Sequence, residues 1–168
     1  MLGDSLIAGF NWQKRIPRFS IRNLGMPGAT THDLLQAIGS LKSHYGSAQL
    51  VMLMIGTNDL ILQKYSFLED YKKLIITLTR NYAGAELLVN SLLPMRLPHL
   101  GKSSIASVNT LIETLCRKTG CCYVDVHTRF LQTEAPLFQA DGVHLTEEGY
   151  ELWARTVLEH IAFLLESD

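Results

Sequence analysis

A hydroxyl nucleophile, a base to activate it and a carboxylate to orient the base are the parts of a covalent hydrolase. The chain offers one of each in short loops. Ser5 stands in Gly3-Asp4-Ser5-Leu6 near the start, and Asp141 and His144 stand in Asp141-Gly142-Val143-His144 near the end. Between them come Asn23-Leu24-Gly25-Met26-Pro27-Gly28, a turn rich in backbone donors, and Gly56-Thr57-Asn58-Asp59. The Asn58 side-chain amide and the backbone amides of Gly25 and Ser5 are donors of the kind that stabilise a developing oxyanion. Each piece alone has an ordinary alternative. Gly-Asp-Ser is most often a turn, Asn-Asp after a strand is usually a helix cap, and a histidine before a helix is commonly structural. Their joint occurrence, in order and at strand exits, is what points to chemistry. Asp4 and Asp59 read as structural carboxylates that accept from loop amides. His32, His44, His99, His127 and His160 lack comparable company and read as structural as well.

The elements that must position these residues follow from apolar spacing. Strands are predicted at Phe19–Leu24, Leu50–Ile55, Glu86–Leu92 and Cys121–Val126. The second is apolar throughout, as in a strand covered on both faces. Helical faces are formed by Leu34, Ile38, Leu41 and Tyr45, and by Phe67, Tyr71, Leu74 and Leu78. Two more are formed by Ile105, Val108, Ile112 and Leu115, and by Tyr150, Trp153, Val157 and Ile161. Thr30 with Asp33 and Ser66 with Glu69 read as capping boxes, and Thr146 as the cap of the last helix. Alternating strands and helices imply right-handed crossovers and a parallel sheet with helices on both faces. Ligands of such sheets lie beyond the carboxyl ends of the strands. Gly3–Leu6, Gly25–Thr30, Gly56–Leu60, Leu93–Lys102 and Thr133–Leu145 are therefore the loops that matter. No repeat or linker is visible, so residues 1–168 read as one α/β domain.

With these blocks in hand, the sequence closely resembles the SGNH hydrolase family, also called GDSL esterases/lipases. That family is named for a serine, glycine, asparagine and histidine in four blocks, and Ser5, Gly25, Asn58 and His144 are matched to them. The Asp-x-x-His spacing of Asp141 and His144 agrees too, and the resemblance runs from Gly3 to the final helix. It implies a flavodoxin-like, three-layer α/β/α sandwich and ester hydrolysis through an acyl-enzyme. Ser5 would be the nucleophile, His144 the base and then acid, and Asp141 its orienting partner. The Ser5 and Gly25 amides and Asn58 would form the oxyanion hole. Pro94-Met95-Arg96-Leu97-Pro98 and the stretch from Asp141 to Tyr150 are similar to the branch of platelet-activating-factor acetylhydrolase-like proteins and bacterial acyl- and acetylesterases. Only Met1 and Leu2 precede Gly3 where relatives carry several apolar residues, so either the recorded start lies downstream of the true one or the first strand is a stub that would loosen Ser5.

Composition bounds the rest. Lys+Arg total 15 and Asp+Glu 16, for a formal net charge of −1, which excludes a broadly basic nucleic-acid binder. Lys14, Arg15, Arg18 and Arg22 read as a solvated face. No apolar run nears the roughly 20 residues that span a bilayer, and no signal peptide is recognised, so neither membrane insertion nor export is expected. Cys116, Cys121 and Cys122 do not form an even disulfide framework and read as free thiols of a cytoplasmic protein. No metal cluster, phosphate loop or dinucleotide fingerprint is found, so no metal or cofactor is expected. The substrate is expected to be a small ester with a short acyl group, lined by Leu6, Leu60, Ile61, Met95, Leu97 and Val143. An acyltransferase and a catalytically silent binding module are the alternatives, and the oligomeric state is left open.

Overall fold

The computed structural model describes residues 1–101 and 103–166, without the side chain of Leu165. In chain order the elements are β1 (Leu2–Gly3), α1 (Ser5–Ala8), α2 (Trp12–Arg15), β2 (Leu24–Gly25) and α3 (Thr31–Tyr45). There follow β3 (Leu50–Met54), α4 (Thr57–Ile61), α5 (Phe67–Asn81), β4 (Glu86–Asn90) and α6 (Ser104–Thr119). β5 (Cys122–Val124), α7 (Val126–Leu131) and α8 (Glu147–Glu166) complete the order. The strands form a parallel sheet in the order β2-β1-β3-β4-β5.

Successive side chains of a strand point to opposite faces, and the central strand shows the consequence. Val51, Leu53 and Ile55 join one core with Leu34, Leu74 and Ile112 of α3, α5 and α6. Met52 and Met54 join a second core with Leu6, Trp12, Phe130 and Trp153 of α1, α2, α7 and α8. Helices therefore cover both faces of the sheet, as expected from the alternation of elements.

Three predicted strands end earlier than their apolar runs. β5 stops before Asp125, which caps α7 by accepting from the Thr128 amide at 2.9 Å. β4 stops before Leu92, whose backbone N–H and C=O are both taken by the Asn109 side chain at 2.8 and 2.9 Å. β3 stops one residue short, before Ile55. The segment expected to form Phe19–Leu24 pairs only at its end, through Leu24 and Gly25. Its sole neighbour in the sheet, β1, is two residues long, so no longer ladder can form. Side chains hold the remainder: Gln13 donates to Phe19 O and accepts from the Ile21 amide, and Asn23 donates to Ile7 O.

The expected Thr30–Asp33 capping box is present, and Thr146 Oγ1 accepts from the Gly149 amide at 3.1 Å. Ser66 makes no side-chain cap. Its φ of −75° and ψ of −1° are already helical, whereas a cap needs the extended backbone that turns its oxygen onto the next amides. The three cysteines are free, with Cys116 buried and Cys121 and Cys122 half-buried.

Candidate active site

Parallel pairing brings three strand ends level. Gly3 of β1 is opposite Gly25 of β2 on one side and Met54 of β3 on the other. The chain therefore leaves the sheet side by side as Asp4-Ser5, Met26–Thr30 and Ile55–Asn58. Asp4 caps α1 through Oδ1, which accepts from the Leu6 amide at 2.9 Å, and this makes Ser5 the first residue of the helix. A first-turn amide has no acceptor inside its own helix. Among the described residues, the Ser5 amide has none elsewhere.

His144 is delivered from the far end of the chain. Asp141 Oδ1 accepts from the amides of both Val143 and His144 at 2.9 Å, which folds the four-residue loop back on itself. Its other oxygen, Oδ2, meets His144 Nδ1 at 2.6 Å, and His144 Nε2 lies 3.2 Å from Ser5 Oγ. The bond from His144, aided by the two loop amides, holds the Asp141 carboxyl down at about 2. An ionised Asp141 requires the proton on Nδ1 and leaves Nε2 to accept from the serine hydroxyl. The side chains of His144 and Asp141 are 45% and 48% exposed, so the relay opens directly to solvent.

Asn58, on α4, donates from Nδ2 to Ala29 O at 2.9 Å, which leaves its second amide proton for another acceptor. Its neighbour Asp59 is buried and accepts from the Thr31 amide and hydroxyl at 2.8 and 3.0 Å, fastening α4 to the start of α3. Burial raises the Asp59 carboxyl, against the pull of those Thr31 donors. Asp4 is fully buried as well, so both carboxylates take the structural places expected of them.

Gly25 is placed differently from its expectation. Its amide donates to Asn23 Oδ1 at 3.1 Å, and a Cβ there would come within 2.3 Å of Ala8 N. The close approach of β2 to α1 explains why glycine is needed. Three residues on, the Gly28 amide has no acceptor among the described residues. Nothing lies within 4 Å of where a Gly28 Cβ would stand, and Gly28 is joined to the Ala29 that receives Asn58. The sequence signal for Gly28 was the second glycine of the same turn.

The expected pocket lining is corrected at several positions. Leu6 and Leu60 are 1% and 0% exposed and belong to the two cores, because they lie on the inner faces of α1 and α4. Met95 and Val143 are buried too. Ile61, one of the expected lining residues, is exposed, as is Leu62; they follow Asn58 by three and four residues and share its helical face. Leu97 is half-buried on a loop that crosses the site. That loop is tied at one end by Arg96 N to Gly142 O at 2.9 Å, and at the other by His99 Nε2 to Leu60 O at 2.9 Å. Two surface cavities lie elsewhere, and neither is lined by Ser5, Asn58 or His144.

Among the described residues, no group of three or more His, Cys, Asp or Glu is placed to hold a metal ion. No described helix is long and apolar enough to cross a membrane.

Comparison with solved structures gives the same fold. A Streptococcus pneumonia protein named after platelet activating factor is 22% identical with a TM-score of 0.80, over 95% of this chain and 81% of that one. A lipase/acylhydrolase from Enterococcus faecalis is 19% identical with a TM-score of 0.79, over 95% and 93%. An acetyl xylan esterase from Geobacillus stearothermophilus is 19% identical with a TM-score of 0.75, over 96% and 93%. No curated protein matches the sequence. The model of the GDSL-like lipase/acylhydrolase family matches residues 1–152, so the chain belongs to that family of carboxylic ester hydrolases.

Proposed function

We propose that the chain is a serine esterase that hydrolyses short-chain acyl esters through an acyl-enzyme at Ser5. The observation that carries it is the unbroken Asp141–His144–Ser5 relay. Ser5 Oγ attacks the acyl carbon while its proton passes to His144 Nε2. The carbonyl oxygen of the tetrahedral intermediate takes the negative charge, and the ionised Asp141 steadies the imidazolium. The C–O bond to the alcohol then breaks, and the alcohol leaves with the proton from Nε2. Water repeats the sequence on the acyl-enzyme: it gives a proton to His144, attacks the acyl carbon and returns Ser5 as leaving group.

Asn58 Nδ2 and the Ser5 amide are the natural donors to the oxyanion. For the third we assign the Gly28 amide in place of Gly25, since the Gly25 donor is engaged by Asn23. Half-exposed catalytic side chains favour an acyl group small enough to need no deep tunnel. The acetyl xylan esterases among similar solved structures support the same choice. A reducing, cytoplasmic setting suits three free thiols.

The test is hydrolysis of p-nitrophenyl acetate, butyrate and octanoate by the chain and by Ser5→Ala, with fluorophosphonate labelling beside it. Turnover and labelling are expected from the wild type alone, with acetate or butyrate preferred. Equal rates in both proteins would overturn the assignment of Ser5, and rates rising up to octanoate would overturn the short acyl group.

A further inference from the structure

Beneath the relay lie two buried polar atoms with no hydrogen-bond partner among the described residues, Asp4 Oδ2 and Thr57 Oγ1. Asp4 is 0% exposed and Thr57 2%. Buried side-chain polar groups are nearly always satisfied, so two orphans in one place require a reason. Strand register supplies it. Because Gly3 is paired with Met54, Asp4 and Thr57 open the adjacent turns that leave β1 and β3. The pair stands outside strict hydrogen-bond geometry, yet the hydroxyl is near enough to pull the Asp4 carboxyl downward.

We propose that Thr57 Oγ1 donates to Asp4 Oδ2 in the working enzyme, and that this buried bridge positions the nucleophile turn against the oxyanion turn. It rests on the reading of Ser5 as nucleophile and Asn58 as oxyanion donor. Asp4 already fixes the start of α1 through Oδ1, and Thr57 immediately precedes Asn58. One bridge between them therefore sets the spacing of Ser5 and Asn58 without touching substrate. Asp59 makes the corresponding tie on the outer side, to Thr31, so α4 is held from two directions. Asp4 and Thr57 are positioning residues.

The bridge also governs a titration. Burial pushes Asp4 up to about 6, opposed by the Leu6 amide, the Thr57 hydroxyl and His144, and reinforced by Asp59. Tyr150 of α8 faces the same carboxylate. Taking away the hydroxyl removes a stabiliser of the charged form, so Asp4 holds its proton to higher pH. The acidic limb of kcat then moves upward.

The experiment compares wild type, Thr57→Val, Thr57→Ser and Ser5→Ala on p-nitrophenyl acetate across pH 5 to 9. A small misplacement of reacting groups can lower rate by roughly a hundredfold. Thr57→Val is therefore expected to lose about ten- to a hundredfold in kcat, with KM little changed and the acidic limb raised. Thr57→Ser should restore both. If Ser5→Ala is as active as wild type, the reading of the site fails. If activity depends on Ser5 but Thr57→Val keeps wild-type kcat and acidic limb, or Thr57→Ser fails to rescue, the bridge is wrong. Thr57→Ala serves if the valine variant does not fold. Combined with Asp4→Asn, which retains an acceptor for Leu6, it should be no slower than the slower single variant. Losses that multiply would overturn the bridge.

Discussion

Asp141 uses one carboxylate for three partners, and this decides how the site responds to acid. One oxygen gathers two loop amides and the other takes the imidazole, so the group is both hinge and counter-ion. Its folded-state pKa is depressed to about 2, so its contribution is complete above the unfolded value and disappears only as pH falls through about 2. A loss of activity between pH 5 and 7 therefore belongs to another group. Asn58 permits a sharper test, because one of its amide protons is held by Ala29 O and the other is left for the proposed oxyanion. Asn58→Ala should lower kcat about a hundred- to a thousandfold with the fold intact, as read by steady-state kinetics beside circular dichroism. The Asp141–His144–Ser5 contacts were legible in the sequence because they are made by side chains. The proposed loop donor was not, because every residue except proline carries the same N–H. Whether Gly25 or Gly28 offers it depends on where the Asn23 side chain goes.

Short elements do most of the positioning. α1 and α2 have four residues each, α4 five and α7 six, too few for an apolar period to announce them. Two of them, α1 and α7, start where a polar side chain at a strand exit caps the turn, Asp4 and Asp125 respectively. The long helices, with several turns of apolar stripe, were legible from spacing alone. The loop from Pro94 to Leu100 is the other positioning element, since it joins the His144 loop to α4 through Arg96 and His99. Gly142 is where it presses hardest. Its φ is +71°, and an added Cβ would stand 3.1 Å from Arg96 Cβ and 3.3 Å from Arg96 O. Gly142→Ala should cost about 1–2 kcal/mol from the left-handed backbone alone. Displacement of His144 should lower kcat as well. Thermal melts and kinetics of the same preparation would check both, and an unchanged kcat would show that the loop is not braced there.

At the scale of the molecule, the sheet separates two cores that are joined through buried polar contacts. Trp153 of α8 donates from Nε1 to Asn90 Oδ1 at 2.9 Å, and Asn90 Nδ2 reaches Leu53 O at 3.2 Å, so a helix on one face is bonded to two central strands. The Trp153 ring also meets Trp12 edge-on at 4.9 Å. Trp153→Phe keeps an aromatic ring but leaves Asn90 Oδ1 buried and unpaired, a loss of about 1–3 kcal/mol. A lower denaturation midpoint with an unchanged slope in urea would confirm it. The layers were legible because β3 is apolar on both faces, whereas the Asn90 contact depends on a pairing between distant residues that no local pattern reveals. Ser5 and His144 are separated by 139 residues, a distance that has meaning in time as well as in space. At roughly 5–20 residues per second, a ribosome adds the serine about 7–28 seconds before it adds the histidine. The nascent chain thus carries the proposed nucleophile without its proposed base until synthesis has almost reached α8. On the proposed reading, hydrolysis begins only once the last loop has closed over the first.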